Sequence, residues 1–119
     1  MLSPEQITAI AYKALEDKKA KDVKILKTAE HTILADYFVI CNGSSSAHIK
    51  ALVDEVDRQL SEAGEPPIRR EGLRSDIWVL MDFGCVIVHV FTDEARKFYN
   101  LERLWSDSEE VPLSALSRP

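Results

Sequence analysis

Gly43-Ser44-Ser45-Ser46 follows an apolar run and precedes an amphipathic one. Two phosphate chemistries are therefore weighed first. A phosphate loop at a helix N-terminus uses free backbone N–H groups. Its P-loop form needs Gly-x-x-x-x-Gly-Lys-Ser/Thr, and the second glycine and the lysine are missing. A nucleotidyltransferase also opens with a strand, a Gly-Ser pair and a helix. It then needs two carboxylates alternating on a neighbouring strand to hold metal ions for phosphoryl transfer. The acids at the usual distance, Asp54, Glu55 and Asp57, fall in the helical stretch, and Asp82 alone sits on a later strand. The segment reads as a strand-to-helix turn with a serine capping the helix. Gly43 reads as structural, because a residue without Cβ best tolerates the sharp turn.

Nucleophilic catalysis finds no better support. Ser44, Ser45, Ser46, Cys41 and Cys85 are the possible nucleophiles, and His31, His48 and His89 the possible bases. No Gly-x-Ser-x-Gly joins any of them, and the histidines lack metal spacing such as His-x-x-x-His. His48, in the first helical turn after Gly43, reads as a loop-packing residue. Both cysteines lie in apolar strand-like runs and read as reduced, buried thiols. No catalytic residue, metal or cofactor is expected, and the chain reads as a binding protein and not an enzyme.

The 119 residues, 45% of them hydrophobic, suit one domain with one core. Net charge is −5 and the pI about 5.2. That sign opposes a grip on nucleic acid through phosphates and favours a basic protein surface. Direct sequence-specific nucleic-acid binding is not expected. No apolar run approaches the roughly 18 residues of a membrane span. Met-Leu-Ser-Pro-Glu-Gln at the start lacks the charged and apolar parts of a signal peptide. A cytoplasmic location without membrane attachment is the expectation.

The elements that must position these residues are legible in turn. Ser3-Pro4-Glu5-Gln6 is a helix start with a capping box, followed by Ile7, Ile10, Ala11, Ala14 and Leu15 at helical spacing. Asp22–Lys27 reads as a strand. Tyr37–Cys41 reads as a central strand with both faces covered in part. Ile49, Leu52, Val53, Val56 and Leu60 mark the buried stripe of a second helix, which Gly64 and Pro66-Pro67 stop. Ile68–Arg74 is an edge strand or connection. Ile77–Phe91 is a β-hairpin, and Thr92-Asp93-Glu94 starts a last short helix. The aromatic stretch Phe98–Trp105 should dock on the body. The order is α-β-β-α-β-β-α, a mixed α/β sheet with helices mainly on one face. Residues 1–105 form the single domain and 106–119 a polar, loosely held tail.

A Phe83-Gly84 turn sets Asp82 opposite Cys85, Leu80 opposite Ile87 and Trp78 opposite His89. Alternation then sorts the hairpin into two faces. Ile77, Val79, Met81, Val86, Val88 and Val90 form an aliphatic face suited to lie under helices. Trp78, Leu80, Asp82, Cys85, Ile87, His89 and Phe91 form a mixed face. Three short helices cannot easily cover both, so the mixed face is expected to be open or only partly covered and to bind protein.

Three stretches together carry a family resemblance: ADYFVICNGSSSAHIKALVDEV (35–56), EGLRSDIWVLMDFGCVIVHVF (71–91) and TDEARKFYNLERLW (92–105). They resemble the Iojap family, the bacterial and organellar ribosomal silencing factors. The resemblance implies a nucleotidyltransferase-like fold without the catalytic carboxylates. It further implies binding to a protein on the intersubunit face of the large ribosomal subunit. Such binding blocks subunit joining and represses translation when nutrients are scarce. Homodimers are a further implication, and a role in large-subunit assembly is the alternative. Many relatives carry an acid after the turn glycine, where this chain has Cys85, which leaves Asp82 as the nearest hairpin acid. The expected partner-binding residues are Trp78, Leu80, Asp82, His89, Phe91 and Glu102. Asp82 and Glu102 are placed to meet Lys or Arg on a basic ribosomal protein.

Overall fold

Ser3 starts the first helix as its spacing predicts. The backbone N–H of Gln6 donates to Ser3 Oγ at 3.1 Å, and the Ser3 N–H donates to Gln6 Oε1 at 2.9 Å. The computed structural model describes residues 2–27, 35–72, 77–99 and 109–110. In chain order these form α1 (Pro4–Asp17), β1 (Lys21–Lys27), β2 (Tyr37–Gly43), α2 (Ser46–Glu62), β3 (Arg69–Glu71), β4 (Trp78–Asp82), β5 (Val86–Thr92), α3 (Asp93–Tyr99) and β6 (Glu109–Glu110).

The strands form one mixed sheet in the order β3-β4-β5-β2-β1-β6. β2 and β5 run parallel, from Tyr37 beside Val86 to Gly43 beside Thr92. The remaining pairs are antiparallel. Every residue of β2 is buried, a fuller cover of both faces than the partial one expected of this central strand. The stretch 68–74 contributes a short edge strand, β3. Two residues of the expected tail, Glu109 and Glu110, pair with Lys27 and Leu26 as β6.

α1 and α2 cover one face. Ile7, Leu15, Leu52, Val53, Val56 and Leu60 pack there on Val39, Cys41, Val79, Met81, Val86, Val88 and Val90. α3 takes the other face, where Ala95 packs with Leu26, Ala35, Phe38, Ile40 and Phe91. Most helical cover is thus on one side, as expected, with α3 the departure.

The hairpin register differs from the expectation by two residues. Trp78 pairs with Phe91, Leu80 with His89 and Asp82 with Ile87. Phe83 is not in the turn: its N–H donates to Val86 O at 2.9 Å and its ring is buried in the helix-side core. The turn is Gly84-Cys85. Gly84 adopts φ +87° and donates its N–H to Asp82 Oδ1 at 2.7 Å. Because the slip is an even number of residues, β4 and β5 keep their expected faces. The flanks do not. Cys85 packs against the helix-side core, and Ile77, just before β4, is 44% exposed.

A candidate protein-docking face

On the mixed face β4, β5 and β2 assemble an aromatic cluster. Trp78 stacks on Phe91 with ring centroids 5.0 Å apart. Phe38 meets His89 edge-on at 4.9 Å. The Trp78 indole N–H donates to His89 Nδ1 at 3.2 Å. That bond assigns the ring proton to Nε2, since Nδ1 must accept. Burial holds the His89 pKa down at about 4, so the ring is neutral at physiological pH. Its Nε2 is buried and has no hydrogen-bond partner among the described residues.

The mixed face is partly covered, and two of the expected partner-binding residues, His89 and Phe91, lie under the cover. His89 is 4% exposed and Phe91 1%. Phe91 belongs to a second core with Leu26, Ala35, Phe38, Ile40 and the Ala95 of α3, and His89 lies against its Phe38 and Phe91 rings. What remains accessible is the outer strip: Trp78, Leu80, Asp82 and Ile87 are each half-buried. Alternation along β4, with Val79 and Met81 buried between them, produces that strip.

Asp82 already has partners within the chain. Its carboxylate forms the turn with Gly84 and pairs with Arg69 of β3 at 3.2 Å. Any basic group on a partner would share it with Arg69. Glu102 and His31 lie outside the described residues, as does the aromatic stretch beyond Tyr99. Phe98, expected to dock on the body, is 82% exposed. With Ile77, Thr92, Glu94 and Ala95 it lines a shallow depression of about 380 Å³. Alternation along the hairpin assigns Ile77 to the aliphatic face, but β4 starts one residue later, at Trp78, and Ile77 lies exposed on this apolar rim.

The residues weighed for catalysis are engaged in structure. Ser45 caps α2, accepting from the His48 N–H at 3.1 Å. His48 Nδ1 accepts from the Ser44 N–H at 2.9 Å, and its Nε2 lies 2.7 Å from the Lys18 carbonyl, to which it donates. The ring thus ties the β2–α2 turn to the end of α1, a loop-packing role. A Cβ at Gly43 would stand 2.7 Å from Ile49 Cγ1 and 3.2 Å from its backbone N, so close helix approach demands glycine. Asp54 and Asp57 face Arg70, at 3.3 and 2.8 Å, and Glu55 pairs with Arg58. Cys41 is buried and its thiol pushed up to about 12 by desolvation, while Cys85 is half-buried and raised for the same reason. Neither is a ready thiolate.

Comparison with known proteins agrees with this architecture. The family model described as "Ribosomal silencing factor during starvation" matches residues 2–119. The ribosomal silencing factor RsfS of Halalkalibacterium halodurans is 37% identical over 115 residues, 97% of this chain and 98% of that protein. That of Bacillus subtilis is 39% identical, covering 90% of this chain and 91% of its own. A crystal structure from Chromobacterium violaceum superposes with a TM-score of 0.86 at 38% identity, covering 88% of each chain. With a matching fold and matching sequence over nearly its whole length, the chain belongs to the family of ribosomal silencing factors.

Proposed function

We propose that this protein is a ribosomal silencing factor that docks on a basic protein of the intersubunit face of the large ribosomal subunit. Docked there it blocks subunit joining by its bulk and represses translation under nutrient limitation. It acts in the cytoplasm and does so without catalysis or a cofactor. The observation that carries the reading is the half-buried strip Trp78–Leu80–Asp82–Ile87, backed by a rigid aromatic core. Aromatic and aliphatic anchors edged by charge are what a protein interface uses. The net charge of −5 supports a basic protein as the contact and opposes bulk RNA. The engagement of Asp54, Glu55 and Asp57 with arginines supports a non-enzymatic role. No described helix is long and apolar enough to cross a membrane.

Sedimentation with isolated large subunits tests the proposal. The protein should co-migrate with them and shift subunit mixtures away from whole ribosomes. Failure to co-migrate sinks it. A second reading, assembly of the large subunit, draws on similarity to the mouse protein named "Mitochondrial assembly of ribosomal large subunit protein 1". That protein is 32% identical over 77% of this chain, which spans 42% of its length. Tighter binding to precursor than to mature subunits would favour assembly.

A further inference from the structure

In a chain of net negative charge, positive charge gathers at one cleft. The cleft measures about 750 Å³ and is lined by four cations, Lys21, Lys24, Arg96 and Lys97, against two acids, Asp22 and Asp93, with Asn42 among them.

Its location follows from the topology. β2 and β5 are parallel neighbours ending together at Gly43 and Thr92. The chain leaves β2 into α2, which packs on one face, and leaves β5 into α3, which packs on the other. Where adjacent parallel strands send their connections to opposite faces, a crevice opens beyond their carboxyl ends, and open α/β sheets bind ligands there. Asn42 and Asp93 stand at those two strand ends.

The floor of the cleft is constructed. Asn42 and Arg96 are only 6% and 8% exposed. Arg96 Nη1 donates to Asn42 Oδ1 at 2.9 Å and to the Asp22 carbonyl, and Asn42 Nδ2 donates to Asp93 Oδ1 at 3.0 Å. The Asp22 carbonyl reaches Arg96 because β1 changes register between Lys21 and Lys24 and Asp22 adopts φ +49°. Bulges and left-handed residues of this kind collect beside binding sites.

Ammonium groups recognise phosphate as point charges. The Asp93 carboxylate and the Asn42 amide suit hydroxyl groups. The volume lies within the roughly 300–1,000 Å³ of small-molecule sites and exceeds what a bare phosphate fills. We propose that this cleft binds a small phosphate ester of a polyhydroxylated group, a nucleotide or a sugar phosphate. Lys97 and Lys21, the latter now paired with Asp93 at 3.8 Å, hold the phosphate, while Asn42 and Asp93 hold hydroxyls. The site is separate from the docking strip and does not depend on the ribosomal reading.

The test is titration calorimetry and amide NMR on the full chain without divalent metal. The probes are adenosine monophosphate, ribose 5-phosphate, inorganic phosphate and a short single-stranded RNA. Saturable binding of either ester, tighter than inorganic phosphate and with shifts centred on Asn42, Asp93 and Arg96, is expected. Whichever ester binds more tightly identifies the source. The double variant Lys21→Glu/Lys97→Glu should bind about tenfold more weakly, the combined effect of two partly exposed charge contacts. Lys97→Ala, at an exposed position, should move affinity the same way by a smaller step while leaving the melting temperature unchanged. Absence of saturation, equal affinity for inorganic phosphate, shifts elsewhere or an unaltered Lys97→Ala affinity overturns the proposal. Binding of the RNA alone, lost steeply with salt, overturns it in favour of a nucleic-acid surface.

Discussion

The two faces of the β4–β5 hairpin come from the same strands and are packed in opposite ways. On one, Val79, Met81, Val86, Val88 and Val90 are buried under α1 and α2 with no polar atom among them. On the other, Trp78 and His89 pack polar ring nitrogens beside the Phe91 ring, and the outer strip stays half-buried. An aliphatic interior is stabilised by the area that it removes from water. The aromatic side carries desolvated polar groups, one of them without a described partner. The first face therefore serves the fold. The second leaves a half-buried strip for which docking is the proposed role, so mutations should separate folding from docking.

The largest effect is expected on the aliphatic face. Met81→Ala should lower unfolding free energy by about 2–5 kcal/mol, as for other fully buried large-to-small changes. Urea denaturation measures it, and a loss under about 1 kcal/mol would erase the distinction between the faces.

Next comes acid sensitivity on the aromatic face. The folded-state pKa of His89, about 4, lies below its ordinary 6.5. Neutral His89 therefore contributes stability that is fully present above pH 6.5 and is lost as pH falls from there towards 4. The loss is on the order of 3 kcal/mol. Denaturation midpoints of the parent and His89→Phe across that range should converge as pH drops. Parallel curves would mean that His89 charges freely in the fold.

Trp78→Ala should weaken large-subunit binding by about 2 kcal/mol or more. Its folding cost should be smaller, near the ~1 kcal/mol of the lost hydrogen bond to His89 plus reduced stacking. Trp78→Phe keeps a ring against Phe91 while removing the N–H, so it divides the two contributions. If Trp78→Ala binds normally, or simply unfolds, Trp78 is not an interface anchor.

Gly43→Val should cost about 1–3 kcal/mol of stability through overlap with Ile49, without loss of any chemistry. A stable variant with abolished nucleotide turnover would revive an enzymatic reading. The smallest effect is that of salt on docking. Apolar contact aided by rim ion pairs of about 0.2–1 kcal/mol should weaken only mildly as ionic strength rises. A thousandfold loss over a fourfold increase, roughly what many phosphate contacts produce, would point to RNA as the partner surface.

Much of this molecule was legible because it depends on near neighbours in the chain. The Ser3–Gln6 capping box, the Ile49–Leu60 stripe and the burial of β2 follow from spacing along the chain. The division of Val79 and Met81 from Trp78 and Leu80 follows from a period of two, which survives an even register slip. Net charge and the lack of a carboxylate pair beside Gly43 needed no coordinates. Four outcomes did: the true turn at Gly84-Cys85, the crossing of α3 to the second face, the burial of His89 and Phe91, and the meeting of Lys21 and Asn42 with Arg96. Each depends on which distant residue fills a given space. Phe83 left the turn because a pocket in the helix-side core took its ring. His89 lost its solvent because the rings of Phe38, Trp78 and Phe91 close around it. Periodicity tells a side chain which way to point, but only packing between remote segments decides what it meets there.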